Sequence, residues 1–172
     1  ESNERAVGRD CLVWPFANLF RRTLVNQLDH LTKSLYYLVM ESSLRQLDQG
    51  LWVIDYPEHM AVGLRLGTRT TLVETEAGLW VHSPGPPGQH LQNFPAPFAF
   101  VAPNSMHHLY FAQAHERYPQ ARGWAPAELL VKRPDLRAER LSGPQTSAID
   151  CLALGGLGGL GEWVFLHRAS RT

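Results

Sequence analysis

Cysteine is scarce: two in 172 residues, Cys11 and Cys151, with no Cys-x-x-Cys pair and no metal-ligand spacing. That leaves one long-loop disulfide as the only pairing open to the two, with nothing in the spacing to support it, and makes a reducing compartment the default. An excess of charge of one sign is also missing, since 16 Lys plus Arg balance 16 Asp plus Glu. A dedicated nucleic-acid binder carries a basic surplus, so no nucleic-acid partner is expected. No apolar run reaches the ~20 residues that a membrane span needs. The apolar segment "LVWPFANLFRRTLVNQLDH" is interrupted by Asn, Arg and Asp. The expected compartment is therefore the cytoplasm or an organelle stroma rather than the cell exterior.

What is present is 44% apolar residues and 19% charged, the balance of a globular chain with one sizeable core. Phe16, Phe20, Leu24, Leu28, Leu31, Leu35 and Leu38 recur at spacings of three and four. This stripe predicts an amphipathic helix from about Phe16 to Met40, with Pro15 in its first turn. Its leading end combines Trp14, Phe16 and Phe20 with Arg21 and Arg22. That combination suits an arm docking on a protein partner or a second copy, or a contact with a membrane surface. Packing of the stripe into a core is the simpler alternative. Ser42 to Gly50 reads as a helix tail or loop.

From Leu51 the period changes. "LWVIDY", "TTLVET" and "LWVHSP" are rich in β-branched and aromatic residues and predict strands, the last two joined through the turn at Glu76-Ala77-Gly78. "SPGPPGQ" is a loop. "FAFVAP" is an apolar strand, and residues 105–117 read as a helix burying Met106, Leu109, Tyr110 and Ala114. A short strand at "ARGWAP", a helix at "PAELLVKR", and the strands "IDCLAL" and "EWVFLHR" follow. The glycine run 155–161 lacks the Gly-Lys-Ser/Thr ending of a phosphate loop and reads as the turn between the last two strands. The order predicts a mixed α/β or α+β sandwich.

The eight histidines are the candidate chemistry. His82 ends a strand, and His107 and His108 follow another. Strand ends on one rim of a sheet converge in space. Neutral imidazole is a good ligand for zinc or iron, and one ion needs three or four donors. Adjacent helical residues point about 100° apart, so His107 and His108 share an ion only on irregular backbone. The simpler alternative is that both bond backbone at a helix start.

"LWVIDYP", "LRLGTRTTLVET", "GLWVHSP", "FVAPNSMHHLYF", "YPQARGWAPAELLVKRPDLR" and "EWVFLHRASRT" resemble, in order and spacing, a family called domain of unknown function 4336. That family looks like a divergent branch of the metallo-β-lactamase-like superfamily. The resemblance covers about residues 44–172 and leaves 1–43 as an N-terminal extension. It implies a four-layered αββα sandwich, incomplete at the C-terminus because relatives continue into a further strand past the position of Thr172. It also implies a site for one or two metal ions on a His-x-His-x-Asp-His loop. Aligned here, the last His falls on His108, the Asp slot holds His107, and the two earlier slots hold Ser105 and Pro103. The superfamily's Asp-x-Gly at an early strand end is His82-Ser83-Pro84 here. The resemblance therefore implies a divergent protein without the standard two-metal site, acting by binding or as a subunit of an assembly. The alternative is a metal-dependent hydrolase of esters, thioesters or phosphoesters. In it His82, His107 and His108 would hold one zinc, iron or manganese ion; no metal at all fits the first reading.

Overall fold

The computed structural model describes residues 42–56, 67–86, 90–155 and 158–172. The expected N-terminal helix, with Trp14, Phe16, Phe20, Arg21 and Arg22, lies outside them. Four antiparallel strands come first: β1 (Ser43–Asp48), β2 (Leu51–Tyr56), β3 (Thr68–Thr75) and β4 (Gly78–His82). The chain then pairs in parallel through β5 (Pro97–Val101), β6 (Arg122–Ala125) and the two-residue β7 (Glu139–Arg140), completing one seven-stranded sheet in sequence order. Helix α1 (Phe111–Arg117) links β5 to β6, and α2 (Ala127–Lys132) links β6 to β7. A separate antiparallel hairpin, β8 (Ile149–Ala153) and β9 (Trp163–His167), follows.

Strand alternation sorts the apolar side chains to two faces of the large sheet. Ile54, Leu72, Leu79, Val81 and Phe100 pack with Phe111, Ala114 and Leu129 of the helices. Leu51, Val73, Trp80, Ala99, Val101 and Trp124 pack with Ile149 of the hairpin, and Trp163 and Phe165 close over them. The sheet thus separates two cores, where the sequence predicted one. The central strands are buried on both faces, which explains why "FAFV" and "LWV" read as continuous apolar runs.

Two local expectations are corrected. Ser43–Asp48 is a strand, because Gly50 takes a left-handed turn (φ +71°) that folds the segment back on β2. Arg45 then reaches Asp55 across the pair at 2.9 Å. The helix expected over 105–117 begins only at Phe111; residues 105–110 are a run of turns. Asn104 causes this, since its side-chain oxygen accepts the Met106 N–H at 2.8 Å and offers the backbone an alternative to a helical bond. Met106 and Leu109 are consequently exposed, and Phe111, Ala114 and His115 take the buried positions.

Candidate functional site

The rim where β4 and β5 end, covered by the start of β9, gathers the polar groups the fold does not need for packing. His82 is the last residue of β4 and shares the face of Trp80. Its ring stacks on Trp80, with centroids 5.8 Å apart, and meets Phe165 edge-on at 5.3 Å. Burial between these rings, reinforced by His107 nearby, pushes the His82 imidazole down to about 4.

Ser83 follows with φ +52°, a left-handed conformation that a non-glycine side chain rarely adopts. Its backbone is clamped on both sides: its N–H donates to Val101 O at 2.8 Å, and its carbonyl accepts the Thr70 hydroxyl at 2.8 Å. The Ser83 hydroxyl lies 2.5 Å from His107 Nδ1. His107 is exposed at its edge. The protein packed about its ring holds the imidazole below its ordinary value, against the opposing pull of the Glu162 carboxylate. Glu162 is itself anchored, accepting the Asn104 amide N–H at 2.7 Å.

His108 turns away from this cluster. Its Nδ1 lies 3.1 Å from Ser105 O, and burial together with the nearby charges of Lys132 and Arg133 lowers its imidazole below the ordinary value. Lys132 donates to the same Ser105 carbonyl at 3.1 Å. The structure therefore brings His82 and His107 together and separates His108. Among the described residues, no three His, Cys, Asp or Glu side chains converge closely enough to hold a metal ion. The donor set as arranged does not fit one.

Beside this rim a cleft of about 410 Å³ opens between the large sheet and β9. Its walls are mainly apolar, from Leu51, Val53, Val73, Trp80, Trp163 and Phe165, with His82, Glu162, His167 and Arg69 as polar points. A concave apolar site with a few convergent polar groups is the usual form of a small-molecule pocket. Sequence reasoning found the histidines but missed Ser83, Asn104 and Glu162. Ser83 and Asn104 stood beside strand ends and could have been weighed. Glu162 reaches Asn104 across 58 residues of sequence and carried no local signal.

This arrangement superimposes on solved structures. The fold is that of the metallo-β-lactamases. The metallo-β-lactamase DIM-1 superimposes with a TM-score of 0.61 at 9% identity, over 76% of this chain and 67% of that one. The metallo-β-lactamase from Pontibacter korlensis gives 0.59 at 10% identity, over 75% and 68%. FIM-1 from Pseudomonas aeruginosa, solved in a mono-zinc form, gives 0.55 at 13%, over 72% and 63%. The chain spans about two thirds of the length of these structures. No protein-family profile matches it, and no curated protein does. Among the described residues no helix is long and apolar enough to cross a membrane.

Proposed function

We propose that this chain is a divergent metallo-β-lactamase-fold protein, of the kind grouped as domain of unknown function 4336, that works by binding or within an assembly rather than by two-metal hydrolysis. One observation carries the reading. The loop that would supply metal ligands spends its donors on internal bonds: His107 on Ser83, His108 on Ser105 O and Asn104 on Glu162. Two-metal hydrolysis needs ions held on both sides of an activated water, and these partners point apart. In this reading the N-terminal stripe with Trp14, Phe16, Phe20, Arg21 and Arg22 is the arm that docks on a protein partner or a second copy. The protein then works in the cytoplasm or an organelle stroma.

A second reading is a hydrolase with one zinc, iron or manganese ion at His82, His107 and His108. It is favoured by the approach of His82 and His107 and by the burial that lowers both imidazoles below their ordinary value. The ion would require His108 to leave Ser105.

Elemental mass spectrometry on protein purified without chelator or tag histidines separates the two. Binding predicts metal well below one equivalent, unchanged in His108→Ala. About one equivalent, lost in His108→Ala while the circular dichroism spectrum is retained, overturns binding in favour of the hydrolase.

A further inference from the structure

We propose that Ser83 is a nucleophile, with His107 as its base, for esters or thioesters carrying an apolar acyl group. The inference goes beyond the binding reading and gives the same rim a metal-independent chemistry. Three observations carry it. Ser83 is one of two non-glycine residues with positive φ among those described, the other being Arg171 near the end of the chain. A left-handed serine is strained and persists only where its surroundings impose it, as Val101 and Thr70 do here. This strained strand end turns the Ser83 hydroxyl to His107, 2.5 Å away, which is hydrogen-bond reach for a nucleophile and its base. The base sits on a loop that is itself tied down, since the Asn104 amide N–H donates to Glu162, on the segment leading into β9, at 2.7 Å.

The substrate class follows from the cleft. His82 and Glu162, neighbours of Ser83 and His107, both line it. An acyl chain lying along Val53, Val73, Trp80 and Phe165 brings its carbonyl to the rim where Ser83 stands. In the step, Ser83 Oγ forms a bond to the carbonyl carbon while its proton passes to His107 Nδ1. The bond from that carbon to the alcohol or thiol breaks, and His107 returns the proton to the leaving group. Water then repeats the sequence on the acyl-serine, giving the carboxylic acid and restoring the Ser83 hydroxyl.

The test is covalent labelling of the full chain with an alkyl fluorophosphonate in EDTA, read by intact mass and peptide mapping. One adduct on Ser83 is expected, with release of fluoride. Ser83→Gly, whose backbone accepts φ +52° without strain, should fold and take no label. His107→Asn should fold and label at least about 100-fold more slowly, the usual contribution of a general base. No adduct, an adduct elsewhere, or equal rates in wild type and His107→Asn overturns the proposal. EDTA separates this outcome from the metal assay above: labelling is unaffected by chelator here, and metal content alone decides the one-ion reading.

Discussion

The clamp on His82 makes a measurable demand on stability. The folded protein keeps this imidazole neutral down to about 4, whereas the unfolded chain takes a proton near the ordinary 6.5. The unfolded state therefore binds more protons between these values, and acid favours it. The contribution of His82 is complete above about pH 6.5, falls by about 1.4 kcal/mol per pH unit below it, and levels off below about pH 4. At pH 5.0 the loss from His82 alone comes to about 2 kcal/mol, and at pH 7.5 it is negligible. His82→Leu removes the titration while keeping an apolar group of similar size between Trp80 and Phe165. Urea unfolding of both proteins at the two pH values isolates the effect, because the histidines outside this rim are common to both. Acidification should move the stability difference by about 2 kcal/mol in favour of His82→Leu. A difference that stays constant, or moves towards wild type, would refute the ring clamp as the origin of the shift. Imidazole resonances followed by NMR should show His82 titrating at about 4.

Glu76, in the β3–β4 turn, accepts hydrogen bonds from the Thr146 hydroxyl and from both the N–H and hydroxyl of Ser147, and its carboxyl is held at about 2 by its own backbone N–H first and then by these donors. Glu76→Gln should speed amide exchange at Ser147 and the start of β8 with no change in the α1 amides; equal protection in both proteins would sink the clamp. Gly123 sits where a methyl group would run into the Arg137 carbonyl and the His115 ring. Gly123→Ala should therefore destabilise by about 1–3 kcal/mol in thermal unfolding, as overpacking does. An unchanged melting temperature would show that β6 and α1 give way easily.

The strands β2, β3 and β4 were legible because β-branched and aromatic residues alternate over a few positions and glycine or proline bounds them. "IDCLAL" and "EWVFLHR" were legible on the same ground. β1 was not, because "SLRQLD" is polar and exposed and becomes a strand only by pairing with β2. The first turns after β5 were misread as helix because their apolar spacing is helical, while the Asn104 side chain competes for the backbone donor that a helix would need. The histidines at the end of β4 and after β5 could be singled out from sequence, since chemistry-bearing side chains at strand ends are a local pattern. Their partners were not legible. A hydrogen bond between Asn104 and Glu162, or a ring contact between His82 and Phe165, joins residues that only packing of the hairpin on the sheet brings together. The sequence by itself determined the apolar strands and the rim at which histidines follow two of them, because both follow from side chains a few residues apart. The tertiary structure alone decided that His82 lies between two aromatic rings, that His107 meets Ser83 and that His108 faces α2. Each of those depends on how strands and helices far apart in the chain pack, and no local periodicity records it.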